Sequence, residues 1–135
     1  NRSEKKYVAS NCLILDAYNA NPISMKNAIK SFSKFKNKNK VLIISDMNEL
    51  GKDSDDEHKN LAKIIDSLDI DICYLVGEKM KYVYKSLKSS FWFRDTEDLK
   101  KKLLTTKIKN ADILVKGSRS FELESLEGVI TQISF

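Results

Sequence analysis

The sequence predicts an α/β fold: an open, doubly wound, mostly parallel sheet with helices on both faces. Two observations carry this. From residue 12 onward, short β-prone runs alternate with amphipathic helical stretches, the order produced by parallel strands joined through crossover helices. The runs "CLIL" (12–15), "VLIIS" (41–45), "ICYLV" (72–76), "SFWF" (90–93) and "DILVK" (112–116) are nearly continuous in apolar residues, which suits strands covered on both faces.

Taken along the chain, "KKYVAS" (5–10) is expected as an added edge strand, antiparallel because only a short turn at Ser10 and Asn11 separates it from the first unit. Pro22, favoured at the first position of a helix, opens a stripe of Met25, Ile29 and Phe32. Ser54 and Glu57 have the spacing of a capping box, Asp55 and Asp56 suit the helix dipole, and Leu61, Ile64, Ile65 and Leu68 make the stripe that follows. Met80, Val83, Tyr84 and Leu87 repeat that spacing, Leu99 and Leu103 continue it, and Leu123, Leu126, Ile130 and Ile133 form the last stripe. Methionines and aromatics at helical spacing read as core. Right-handed crossovers would join the five β-α units.

At 135 residues and 41% hydrophobic composition, the chain is the size of one domain able to bury roughly two thirds of its unfolded surface. It has no apolar run of about 18 residues to span a bilayer, and its lysine-rich start lacks the apolar stretch of a secretory signal. A soluble, cytoplasmic monomer without a membrane partner is the expectation. Cys12 and Cys73 sit in apolar runs without metal-ligand spacing, so two buried, reduced thiols are expected. The net charge of +5 and the clusters "KFKNKNK" (34–40) and "KKK" (100–102) would attract phosphate. Arginine, the better reader of bases and phosphates, occurs only as Arg2, Arg94 and Arg119, and the lysines fall at predicted helix ends and solvent faces. Nucleic acid is therefore not an expected partner.

Ligands of such a sheet bind at the carboxyl ends of the strands, which selects a few loops. "DAYNANPIS" (16–24) places Asp16 at a strand end, then Tyr18, Asn19 and Asn21 before a helix. An aspartate there suits the two hydroxyls of a ribose, with Tyr or Asn covering a purine; an Asx-turn that merely caps the helix explains the same residues. "SDMNELGKDS" (45–54) carries Asp46 and Glu49 before Gly51, and "KGSRS" (116–120) offers Lys116, Gly117, Ser118 and Arg119 at a predicted helix start. Free N–H groups and two cations there suit an anion, and a Ser-capped helix with solvated charges suits the sequence equally. His58, the single histidine, reads as a structural residue, and no nucleophile and base pair stands out. No glycine-spaced phosphate loop is present.

"LILDAYNANPISMKNAI", "SDMNELGKDSDDEH" and "DILVKGSRSFELE", three signatures in order, together with "NRS" at the start, resemble the C-terminal domain of the Mur ligases essentially end to end. The resemblance implies a Rossmann-like domain that closes over a nucleotide, with an N-terminal UDP-sugar domain and a central ATP-binding domain absent from residues 1–135 and the isolated domain inactive. It implies ATP and Mg2+, the magnesium ligands lying mainly in the central domain, and as substrates UDP-N-acetylmuramoyl-tripeptide and D-alanyl-D-alanine, joined through an acyl phosphate. By the same resemblance Asp16 meets the ribose hydroxyls and Arg2 lies near the nucleotide phosphates. Tyr18, Asn19 and Asn21 line the adenine and ribose side, Asp46 and Glu49 belong to the second motif, and Lys116, Ser118 and Arg119 face the incoming amine and the peptide end. Ser45 departs from the glycine usual in the family. The alternative is a non-enzymatic Rossmann-like module that binds nucleotide or nucleic acid.

Overall fold

The structure is a computed structural model that describes residues 3–35, 37 and 39–135. Its strands are β1 (Glu4–Val8), β2 (Asn11–Asp16), β3 (Asn39–Ser45), β4 (Ile72–Val76), β5 (Ser90–Phe93) and β6 (Ala111–Lys116). They form one sheet in the order β1-β2-β6-β3-β4-β5. Only β1 is antiparallel, pairing with β2 from Glu4 opposite Leu15 to Val8 opposite Asn11; the other neighbours are parallel. The connecting turn falls at Ala9 and Ser10, one residue earlier than expected, with Ala9 at φ 54°.

The helices are α1 (Pro22–Phe32), α2 (Ser54–Asp66), α3 (Lys81–Tyr84), α4 (Thr96–Leu103) and α5 (Glu127–Ile133). Successive strand residues point to opposite faces, and the core divides accordingly. Leu42, Ile44 and Leu75 pack with Met25, Ile29 and Phe32 of α1, Leu61 and Ile65 of α2 and Val83 of α3. Val41 and Ile43 pack on the other face with Leu99 and Leu103 of α4 and Ile130 and Ile133 of α5. A helix on either face is what the nearly continuous apolar strands require, and each such side chain fully buried contributes about 1.5–3 kcal/mol.

Several local expectations are corrected. Ser54 and Glu57 make no capping box: Asp53 is the N-cap of α2 and accepts no side-chain bond. A 3-10 turn over Gly51–Asp53 leads directly into the helix and leaves Ser54 already helical, its N–H bonded to Gly51 O. The capping box lies instead at α1, where Asn21 and Ser24 satisfy each other's backbone N–H groups. Helix α3 has only four residues, so Met80 and Val83 are buried while Tyr84 stays 47% exposed. Lys40 is no solvated charge. It is buried against Asp112 at 3.0 Å and also donates to Phe35 O and Asn37 O, while Asn37 donates to both Asp112 oxygens. This closed set satisfies every polar atom of a buried ion pair, the condition under which such a pair is tolerated. Cys12 and Cys73 are free and buried. Among the described residues no helix is long and apolar enough to cross a membrane.

Strand order sets the place of the site. Because β6 lies between β2 and β3, the loops that follow these three strands share one end of the sheet.

Candidate functional site

The first loop follows β2. Asp16 Oδ2 accepts from Lys116 Nζ at 2.9 Å, and the same ammonium donates to Asn19 O at 3.2 Å. These two residues are register partners at the carboxyl ends of neighbouring parallel strands. The Lys116 side chain is 4% exposed and that of Asp16 19%, so a buried cation holds a carboxylate at the edge of solvent. Among the described residues Oδ1 of Asp16 takes no hydrogen bond and remains available. Asn19 Oδ1 accepts from Ala20 N and Asn21 Oδ1 from Ser24 N, which leaves the amide nitrogens of both for other partners.

The second and third loops are bound to each other. Ser118 Oγ donates to Asp46 O at 2.8 Å and accepts from Asn48 N at 3.0 Å, while Ser118 N donates to Ser45 Oγ at 3.1 Å. Asn48 Nδ2 adds a bond to Ser120 Oγ. The hydroxyl of Ser45 is therefore turned toward residue 118. Its partner must be small: a Cβ on Gly117 would lie 1.9 Å from Ser45 Oγ.

Asp46 is directed into the fold. It is 7% exposed, its oxygens accept from Met80 N at 2.9 Å and Lys79 N at 3.2 Å, and it fills the space a Cβ on Gly77 would need. Burial pushes its carboxyl above the ordinary value, and the two backbone N–H donors offset that only in part. Its direct work in this chain is to seat the β4–α3 turn. Glu49 is exposed at φ 64°. Lys79 Nζ and Tyr82 OH both donate to Asp55, holding its carboxyl below the usual range.

Arg119 joins the first and third loops, its guanidinium 4.6 Å from the centre of the Tyr18 ring, a cation–π contact. The Ser-capped helix expected at the third loop is not found. Ser118 makes no side-chain cap, and 3-10 turns at Arg119–Phe121 and Leu123–Leu126 precede α5. Arg119 is exposed, whereas Lys116 and Ser118 are buried and already bonded.

Two clefts meet at this end. One of about 530 Å³ is lined by Asp16, Tyr18, Asn19, Asn21 and Lys116 together with Ser24 and Asn27 of α1. The other, about 780 Å³, is bounded by Tyr18, Asn19, Asn48, Glu49, Ser118 and Arg119. Tyr18 and Asn19 border both, so the structure brings nearly all the expected positions together; Asp46 acts from beneath, and Arg2 lies outside the described residues. Sequence reasoning missed Ser24 and Asn27, whose signal was their spacing of three and six residues from Asn21 on one helical face. It also missed Asn48, a loop residue with no local signature. Among the described residues no three His, Cys, Asp or Glu side chains gather as a metal site.

Comparison with known proteins places the chain by sequence and by fold. Residues 1–119 match the family described as Mur ligase, glutamate ligase domain. A UDP-N-acetylmuramoyl-tripeptide–D-alanyl-D-alanine ligase of Rickettsia prowazekii is 34% identical over 117 residues, covering 84% of this chain and 26% of the relative. The chain thus spans about a quarter of that protein's length. A crystal structure of MurF from Acinetobacter baumannii superposes with TM-score 0.84 at 25% identity, over 96% of this chain and 29% of the other. MurF ligase from Thermotoga maritima, solved in complex with ADP, shares the fold with TM-score 0.79 at 23% identity, over 95% and 30%. By sequence match and by fold, the chain belongs to the Mur ligase family, as its glutamate ligase domain.

Proposed function

We propose that this chain is the C-terminal, nucleotide-closing domain of an ATP-dependent ligase that joins D-alanyl-D-alanine to UDP-N-acetylmuramoyl-tripeptide in peptidoglycan precursor synthesis. The observation that carries the reading is the carboxylate of Asp16, presented at the cleft edge by a buried lysine with one oxygen available. The names and length of the curated relatives support it, as does a neighbour of this fold solved with ADP. The N-terminal and central domains of the same protein would be its partners.

ATP supplies the activation: its γ-phosphoryl passes to the tripeptide carboxylate, and the amine displaces phosphate from the acyl phosphate, losing a proton as the amide forms. The work of this domain is to position reactants and exclude water. Asp16 Oδ1 accepts from a ribose hydroxyl, while Lys116 fixes the direction of the carboxylate. Tyr18 and the amide nitrogens of Asn19 and Asn21 line the nucleoside side. Arg119, exposed between the two clefts, faces phosphate or the carboxylate end of the peptide component. Glu49 borders the second cleft, Asp46 and Ser118 hold its wall, and Arg2 belongs near the phosphates. The Mg2+ ligands are assigned mainly to the central domain.

The test is Asp16→Asn in the full-length ligase. A rise in KM for ATP several times larger than the fall in kcat is expected. An unchanged KM for ATP contradicts the assignment of Asp16, and turnover by residues 1–135 alone contradicts the domain assignment.

A further inference from the structure

His58 is the one histidine of the chain and is fully buried in α2, yet no step described above uses it. Its Nε2 lies 3.0 Å from Met47 N and its Nδ1 2.6 Å from Ser54 O. A backbone N–H can only donate and a carbonyl can only accept, so the network admits one form: a neutral ring with its proton on Nδ1 and a bare Nε2. The acceptor points at the backbone of the second loop, at Met47, two residues past the end of β3.

Three successive N–H groups of that loop are tied to three different parts of the fold. Asp46 N donates to Val76 O of β4, Met47 N to His58 of α2, and Asn48 N to Ser118 Oγ of the third loop. Glu49 follows at φ 64°, and Asn48 and Glu49 both border the second cleft. Of the three ties, the one at Met47 alone uses a side chain from a helix, and it sits between the sheet and the cleft. Losing the acceptor would leave a buried N–H unpaired, a cost that drives the backbone to another conformation.

We propose that His58 is a positioning residue, whose bare Nε2 sets the course of residues 46–49 and so the placement of Asn48 and Glu49 against the nucleotide. The last clause rests on the functional reading above; the backbone role does not. The position explains why a histidine serves here: the ring reaches across from the second turn of α2 with an acceptor at its tip and a donor that returns to its own helix.

Two substitutions separate the two ring nitrogens. His58→Gln keeps an acceptor near the place of Nε2, whereas His58→Asn keeps only a donor near that of Nδ1. In the 135-residue chain, nitrogen-15 spectra of the imidazole are expected to show Nε2 unprotonated. The amide resonances of Met47, Asn48 and Glu49 are expected to stay near wild type in His58→Gln and to move, with faster hydrogen exchange, in His58→Asn. In the full-length ligase the KM for ATP should rise several-fold in His58→Asn, with a smaller change in kcat, and recover in His58→Gln. A protonated Nε2, or equal effects of the two variants on the three amides, overturns the proposal. Displaced amides with an unchanged KM for ATP uphold the backbone role of His58 and refute the nucleotide reading of the loop.

Discussion

Lys116 Nζ and Asp16 Oδ2, one hundred residues apart in sequence, meet at 2.9 Å across the ends of two neighbouring parallel strands. The lysine is nearly sealed from solvent and the aspartate is not. Taking away the lysine strands a partly buried carboxylate, while an asparagine at 16 still offers the ammonium an oxygen. Lys116→Met is therefore expected to cost about 1–3 kcal/mol, discounted from a fully buried pair for the exposure of Asp16. Asp16→Asn is expected to cost less. Urea denaturation of both variants checks this, and a larger loss in Asp16→Asn would contradict the description of the pair.

Gly117 and Ser45 form a second dependent pair. The glycine is required by close approach: an added Cβ would meet Ser45 Oγ at 1.9 Å and Leu123 Cδ1 at 2.7 Å. Gly117→Ala is expected to destabilise by about 1–3 kcal/mol, and markedly less when Ser45→Gly removes the nearer obstacle. A double-mutant cycle measured by thermal denaturation reads the coupling. Additive losses would show that the alanine finds room elsewhere.

What sequence could foresee follows the range of the interactions. Residues 72–76 and 90–93 were legible as strands because β-branched and aromatic runs are a local signal, and β4 and β5 occupy those spans. The capping box failed because a turn starting at Gly51, with φ 58°, delivers Ser54 already in helical geometry. Strand order is decided by packing, so the insertion of β6 between β2 and β3 had no local trace. The same holds for the polar residues of the site. Ser118 and Lys40 look solvated as residue types, and their partners Asp46 and Asp112 lie 72 residues away. The motif loops marked where the two clefts open; which side chains face the clefts and which brace them required the fold.

The thiols give a simpler test. Burial pushes Cys73 up to about 12 and also raises Cys12, so at pH 8 almost no thiolate forms at Cys73 in the folded chain. Dithionitrobenzoate is expected to titrate Cys73 only as the chain unfolds, its rate following denaturant. Rapid labelling of Cys73 in native buffer would contradict its burial beneath α2 and α3.

Asp46 makes stability depend on pH in a defined direction. Burial raises its folded value above the ordinary 3.8, against the opposing pull of the Lys79 and Met80 N–H groups. In that window the folded chain binds more protons than the unfolded one, so its contribution is full below 3.8 and is lost as pH rises through the folded value. Asp46→Asn cannot titrate and sacrifices one of the two backbone bonds, since its amide nitrogen meets an N–H donor. Wild type is thus expected to be the more stable protein at low pH, with its margin over Asp46→Asn narrowing as pH rises above 3.8. Paired urea titrations at a series of pH values read this margin. A margin that widens over the same interval would mean that the two N–H donors outweigh burial, and that the buried carboxylate is a net source of stability at neutral pH.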